Sequence, residues 1–291
     1  MRLLIIDGHA FAYRAFYAIR GLTSPTGQPT NAIYGFINML AKLEAQVLPT
    51  HSVVVWDGGL DEGRVEELDD YKAQRDPMPD EMEVQLDAMV EYLEAEGWAS
   101  VCDDGIEADD RIGQLTRRAE AEGFEVAIAS SDKDFFQLIN DRVKMWNPAD
   151  KSGKPMDAEA VVAKTGVRPE QIVDWLSLVG DTVDNIPGVP GVGVKTAASL
   201  LNEFGSVDEL YRNLAKVSRD KLREALAAAE ANVRRNQSLV ALKLDLPGEP
   251  ELDELRRGFQ DSARLEKLYE EWGFKTLLKD LREARQGALF E

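Results

Sequence analysis

Leu3-Leu4-Ile5-Ile6-Asp7-Gly8 decides how the chain is read: four apolar residues in a row, stopped by an aspartate and a glycine. So short and unbroken a run suits a strand buried on both faces, as in a parallel sheet. It is too short for a secretory leader, and Asp7 ends it at once. Two later stretches repeat the pattern. Ser52-Val53-Val54-Val55-Trp56 ends at Asp57-Gly58-Gly59, and Glu125-Val126-Ala127-Ile128-Ala129 leads to Ser130-Ser131-Asp132. Helical periodicity occupies the intervals near 30–46, 80–96 and 108–122. Strands alternating with helices predict an α/β domain with a parallel sheet. Sites in such sheets lie beyond the carboxyl ends of the strands. All three strands place an aspartate there.

From about residue 158 the pattern turns helical. Helices are expected near 169–179, 194–203, 207–213, 218–230, 232–239 and 262–284, with the Gly/Pro-rich segment Asn185 to Gly193 between two of them. This divides the chain into residues 1–155 (α/β), 156–285 (helical) and a tail at 286–291.

Composition sets limits. A chain of 291 residues with 44% hydrophobic content can build a real core. No apolar run reaches the eighteen or so residues of a membrane span. The single Cys102 excludes a disulfide framework and a cysteine-based zinc site, and His9 with His51 is too few for a histidine cage. A cytoplasmic monomer is expected. The net charge of −19 alone argues against a nucleic-acid partner. Acids engaged as metal ligands, basic residues gathered on one face, or an acidic surface suited to a salty cytoplasm would each reconcile the two.

The acids are clustered in sequence. Asp134 follows the strand-end Asp132 by two residues. Glu107-Ala108-Asp109-Asp110 opens a helix, and Asp181 and Asp184 stand three apart, side by side on one helical turn. Any one of these has an ordinary explanation as a turn former or helix cap. Converging on one sheet edge, nine acids would repel strongly without cations. Oxygen ligands with almost no His or Cys point to Mg²⁺ or Mn²⁺. Two such ions about 4 Å apart can activate a water and stabilise the leaving oxygen of a phosphodiester.

These segments together resemble the bacterial 5′-nuclease family: the 5′→3′ exonuclease domain of DNA polymerase I, its stand-alone relatives and the flap endonucleases. Asp7 with Tyr13-Arg14, the strand into Asp57, Arg64, Tyr71-Lys72 with Arg75, and Pro77-Met78-Pro79-Asp80 carry the resemblance. Glu107 to Asp110, Ser131 to Asp134 and Gly180 to Gly193 complete it, in order and nearly over the whole chain. The resemblance implies a PIN-like parallel sheet flanked by helices, a helical arch at about 65–100 and a helix-three-turn-helix at about 185–205.

It also implies roles. Asp7, Asp57, Glu107 and Asp109 would centre on one ion; Asp110, Asp132, Asp134, Asp181 and Asp184 would serve a second. Lys72 and Arg75 would act as catalytic cations on the scissile phosphate, and Tyr71 would stack on an unpaired terminal base. A core tyrosine on a solvated helix face is the plain alternative. Arg14 is a candidate phosphate contact. Gly188, Gly191, Gly193, Lys195 and Thr196 would receive duplex phosphates at a helix start, with K⁺ on the loop carbonyls. The implied activity is metal-dependent 5′→3′ exonuclease and flap endonuclease action on DNA in replication and repair. A non-catalytic binder of DNA structures and an RNA-cleaving nuclease are the alternatives.

Two stretches depart from the family pattern. Residues 58–63 replace a more basic, aromatic-containing segment, and Glu66, Glu67, Asp69 and Asp70 make the arch entrance acidic. At the chain's end, Gln286, Leu289 and Phe290 resemble the short peptide that docks on the bacterial sliding clamp. That ending also suggests a stand-alone protein.

Overall fold

The computed structural model describes residues 1–150 and 152–287. Its centre is a parallel sheet of β1 (Arg2–Asp7), β2 (His51–Trp56), β3 (Ala99–Cys102), β4 (Glu125–Ala129) and β5 (Val143–Trp146), ordered β3-β2-β1-β4-β5. The crossovers carry α1 (Gly8–Ala18), α2 (Asn31–Val47), α3 (Glu62–Glu67), α4 (Asp80–Glu96) and α5 (Ala108–Ala121). The chain winds outward from β1 to β2 and β3, then crosses to β4 on the other side of β1. The order reverses between β1 and β4, so a crevice opens beyond their carboxyl ends. Asp7 ends β1, and Ser130 follows β4 directly.

The unbroken apolar runs have a simple cause. Leu3 and Ile5 enter a core shared with Ile112 and Leu115 of α5, while Leu4 and Ile6 enter one shared with Phe11 of α1 and Phe36 of α2. Leu3 through Ile6 are fully buried. Both faces being covered, neither can carry polar residues.

Several elements were not foreseen in the α/β part, among them β3, β5, α1 and the short α3. β3 and β5 are edge strands whose residues alternate between deeper and shallower burial, so they lack the apolar run of central strands. Helix α1 starts without a loop: Asp7 is its N-cap, accepting from the Ala10 N–H at 3.0 Å. No turn residues separate strand from helix. In the expected arch, α4 buries Met82, Gln85 and Met89, and residues 68–76 form the turn that lies against the acids described below.

The second part contains α6 (Ala158–Thr165), α7 (Ile172–Val179), the short pair β6 (Gly180–Asp181) and β7 (Ile186–Pro187), α8 (Val194–Phe204), α9 (Val207–Arg212), α10 (Asp220–Val240), α11 (Ser262–Trp272) and α12 (Lys275–Gly287). Helix α6 was not foreseen. The helices expected at 218–230 and 232–239 are one continuous α10, and no Gly or Pro interrupts that stretch. Conversely, the single helix expected at 262–284 is two. Gly273, at φ +75°, caps α11 in the left-handed conformation and redirects the chain. The core is shared across the proposed division at residue 155: Trp175, Leu176 and Val240 join the cluster that holds Leu3 and Ile112. Gln286 is exposed on α12; Leu289 and Phe290 lie outside the described residues.

The β6–β7 pair depends on two facing glycines. Gly180 sits at φ +79°, and a Cβ there would lie 2.4 Å from the Gly188 nitrogen. A Cβ on Gly188 would lie 2.1 Å from the Val179 carbonyl oxygen. Gly188, expected to face phosphate, is therefore required for packing. Gly193 differs: a Cβ there meets nothing within 4 Å, and its φ of −97° suits any residue. Gly188→Ala should lower stability by about 3 kcal/mol through overpacking, while Gly193→Ala should leave the melting temperature almost unchanged. Paired thermal melts check this; equal melting temperatures for the two variants would contradict the packing role.

Candidate metal centre

Each strand-end acid is fixed by its own local structure. Asp7 Oδ1 caps α1, and its Oδ2 accepts from the Ser130 hydroxyl at 2.7 Å. The same Ser130 oxygen accepts from the Asp132 N–H at 3.1 Å. One buried hydroxyl thus ties the ends of β1 and β4 together across the crevice. Asp132 caps the 3₁₀ helix Lys133–Leu138, accepting from the Asp134 N–H at 2.9 Å. Asp57 accepts from the Gly59 N–H at 2.9 Å, while its own N–H donates to His9 Nδ1 at 3.1 Å.

Asp181, the last residue of β6, and Asp184, in the turn that leads to β7, reach the crevice together. Carboxylate oxygens of Asp134, Asp181 and Asp184 all lie within 4.8 Å of one another. Asp134 Oδ1 is buried and has no hydrogen-bond partner. An unpaired buried carboxylate oxygen costs several kcal/mol unless a proton or cation satisfies it.

The electrostatics reflect this crowding. Burial, opposed by hydrogen bonds and reinforced by Asp132 and Asp57, pushes Asp7 up to about 6. Asp109 is held well above the usual carboxylate range, first by burial, then by Asp132 and Asp7. Burial and the neighbouring Asp132 do the same to Asp134. Asp132 is raised by burial, with Asp184 and Asp181 adding to the effect. These couplings place Asp7, Asp57, Asp109, Asp132, Asp134, Asp181 and Asp184 in one field.

Glu107 and Asp110 have different surroundings. Asp110 accepts from both terminal nitrogens of Arg64, at 2.7 and 2.8 Å, and from the Lys243 N–H at 2.8 Å. Glu107 Oε2 accepts from Arg64 at 2.8 Å, Lys72 Nζ at 2.7 Å and the Tyr71 hydroxyl at 3.1 Å. Burial alone would raise the Glu107 pKa; Lys72 and Arg64 outweigh it and hold the group below its usual value. Asp110, expected among the ligands of the second ion, thus has both oxygens engaged by a buried guanidinium. Tyr71, expected to stack on a base, has its ring in the core and only 4% of its surface exposed. Its amphipathic side chain packs the ring and spends the hydroxyl on Glu107.

The cations of residues 68–76 face inward. Arg75 pairs with Asp184 at 2.7 Å. Lys72 has φ +54°, an unusual conformation for a long side chain that costs roughly 1–2 kcal/mol. Lys133, unnoticed as a functional residue in the sequence, pairs with Asp181 at 3.0 Å. Ser130 was overlooked too, although a hydroxyl two residues before a strand-end aspartate is a readable signal. Arg14 and Lys195 are exposed on α1 and the first turn of α8, and Thr196 is half-buried beside Lys195. Gly191 sits at φ +79° in open space before that turn.

Comparison with known proteins agrees with this architecture. Residues 2–166 match the family described as 5'-3' exonuclease, N-terminal resolvase-like domain, and residues 167–263 match 5'-3' exonuclease, C-terminal SAM fold. The 5'-3' exonuclease of Aquifex aeolicus is 38% identical over 292 residues, covering 99% of each chain. DNA polymerase I of Bacillus caldotenax is 39% identical over 284 residues, which is 96% of this chain and 32% of that protein. The chain thus spans about a third of the length of this polymerase relative. Among solved structures, zinc-bound T5 5'-exonuclease superposes with a TM-score of 0.70 at 21% identity, over 97% of this chain and 99% of that one. The catalytic core of Rad2 in complex with DNA substrate gives 0.60 at 18% identity, over 93% and 86%. Both halves of the sequence and a full-length relative agree: the chain belongs to the 5'-3' exonuclease family.

Proposed function

We propose that this chain is a metal-dependent 5′→3′ exonuclease and 5′ flap endonuclease that hydrolyses DNA phosphodiester bonds in replication and repair. The observation that carries the reading is the Asp134–Asp181–Asp184 cluster, with its unpaired buried Asp134 oxygen, at the switch point of a parallel sheet. A hard divalent ion, Mg²⁺ or Mn²⁺, fits an all-oxygen donor set of this kind. Asp132, Asp134, Asp181 and Asp184 would hold one ion. Asp7, Asp57 and Asp109, with Glu107 behind them, would hold another. When bound, the ions would supply charge neutralisation and activation of the attacking water.

The chain's own residues do the rest. Ser130 fixes the orientation of Asp7 relative to Asp132. Asp110 serves by anchoring Arg64, which with Lys72 orients Glu107. Lys133 and Arg75, which are partly exposed, hold positive charge beside Asp181 and Asp184 and are placed to turn toward an incoming phosphate. The exposed start of α8, with Gly191, Gly193, Lys195 and Thr196, offers amides and one cation to a duplex phosphate. K⁺ on that loop's carbonyls completes this grip. The T5 relative has been seen with DNA and metal ions together, which supports DNA as substrate. The sliding clamp is proposed as a partner on the resemblance of Gln286, Leu289 and Phe290. A cytoplasmic monomer divided near residue 155 is the proposed setting.

Two measurements test this reading. A 5′-labelled flap DNA should be cut in Mg²⁺ and left intact in EDTA, with a matched RNA hairpin cut more slowly. Asp132→Asn and Asp184→Asn should each reduce turnover by about two orders of magnitude or more, with DNA binding retained. Wild-type turnover in either variant would contradict the assignment.

The second measurement is thermal melting. An acid whose folded pKa is raised keeps its proton in the folded state longer than in the unfolded one. Its contribution to stability therefore falls as pH rises, from about 4 through the raised value. His9 and His51, both lowered by burial, act in the opposite sense, so the informative quantity is a difference between variants. In EDTA, Asp134→Asn should melt above wild type at pH 7.5, and the gap should narrow toward pH 5. Mg²⁺ should raise the wild-type melting temperature more at pH 7.5 than at pH 5.5, because ions and protons compete for the same oxygens. A gap that widens on acidification would contradict the account.

A further inference from the structure

We infer that Asn185 is a positioning residue, whose side-chain amide clamps the turn carrying Lys72 and Arg75 onto the acidic site. The inference rests on the nuclease reading above and names a residue that reading does not use. Two chain segments more than a hundred residues apart meet here. Asn185 Nδ2 donates to the Asp70 carbonyl at 2.9 Å. The Lys72 N–H donates to the Asp184 carbonyl at 3.1 Å. The two bonds run in opposite directions and flank the Arg75–Asp184 ion pair at 2.7 Å.

The backbone on both sides is unusual. Asn185 has φ +58° and Lys72 has φ +54°; among the described residues, Leu48 is the only other non-glycine at positive φ. Leu48 merely ends α2. Glycine adopts this conformation most easily, and asparagine is one of the few side chains that tolerates it. What asparagine adds over glycine is an amide, and here that amide makes a bond. Among the described residues it is the one side chain that bonds the backbone of residues 69–75.

The turn needs such a restraint. Its internal bonds, Tyr71 N–H to the Leu68 carbonyl at 2.8 Å and Ala73 N–H to the Asp70 carbonyl at 3.1 Å, hold its shape, and the core-packed Tyr71 anchors its start, which leaves Lys72 to Arg75 to be placed by Asp184 and Asn185. Asp69, Asp70 and Asp76 are exposed on it, so it carries negative charge toward an acidic site. With the clamp made, Lys72 Nζ reaches Glu107 at 2.7 Å, with only 2% of its side chain exposed. Releasing the clamp removes a restraint on the left-handed Lys72 and lets the turn lift, drawing the lysine into solvent. Misplacing a charged group by a fraction of its reach affects turnover more than substrate affinity.

Amine labelling read by mass spectrometry, together with steady-state kinetics on 5′ flap DNA, tests this. Asn185→Gly keeps the left-handed backbone and deletes the amide. Asn185→Asp keeps the shape and replaces the donor with a carboxylate that cannot bond a carbonyl. In both, Lys72 should label about tenfold faster than in wild type, as expected for local opening, while the exposed Lys195 labels as before. The kcat should fall about tenfold with KM within about twofold of wild type, and Asn185→Asp should be the more impaired. A purely structural defect would instead raise labelling at the half-buried Lys144 on β5 as well, since Lys72 is the one buried lysine among the described residues. If Asn185→Gly does not fold, Asn185→Asp carries the test alone. Unchanged Lys72 protection in a folded variant overturns the inference. Labelling needs no activity, so a wild-type protein that failed to cut DNA would count against the nuclease reading and leave the clamp separately testable.

Discussion

Carboxylates gathered beyond the ends of β1 and β4 repel one another in a crevice that water only partly reaches, and the surrounding structure answers that repulsion. Asp7, Asp109, Asp132 and Asp134 are all pushed toward holding protons, chiefly by burial. Such an arrangement is costly for folding alone. It becomes intelligible if cations occupy the crevice when the protein works. In the chain by itself, Lys133 and Arg75 partly serve as those cations, pairing with Asp181 and Asp184. Their partial exposure leaves them able to exchange partners, whereas Arg64 and Lys72 are buried and fixed.

This separates the acids into two layers. The outer layer is open to ions. The inner pair, Glu107 and Asp110, is held by Arg64 and Lys72 and gives the first turn of α5 a rigid base. Arg64 also donates to the Ala241 carbonyl at 3.0 Å, just past the end of α10. The helical region is thereby joined to the floor of the site, as the shared hydrophobic core also requires. The two halves matched by separate family descriptions therefore build one site, since Asp181 and Asp184 come from the second half.

Much of this was readable in the sequence, for identifiable reasons. The three central strands are buried on both faces, which forces unbroken apolar runs. Their terminal aspartates follow from the parallel topology. The edge strands β3 and β5 were hidden because they are short and covered on fewer sides. Helix α1 was hidden because Asp7 both ends a strand and caps a helix. Within the site, spacing could identify acids but could not show which were engaged by cations. That needed Arg64, whose partners lie more than forty residues away. The same holds for Tyr71: the motif marks it as important, and only the packing shows its ring turned into the core. The nine acids named from the sequence account for part of the net charge of −19, and the rest of the acidic surface has no explanation in the fold.

Anomalous diffraction from crystals soaked in Mn²⁺ tests the central claim most directly. The account predicts a peak among Asp134, Asp181 and Asp184, and a second about 4 Å away toward Asp7, Asp57 and Asp109, with Lys133 and Arg75 turned away from their carboxylates. Crystals that bind Mn²⁺ elsewhere on the acidic surface, with both ion pairs intact and no peak in the crevice, would contradict it.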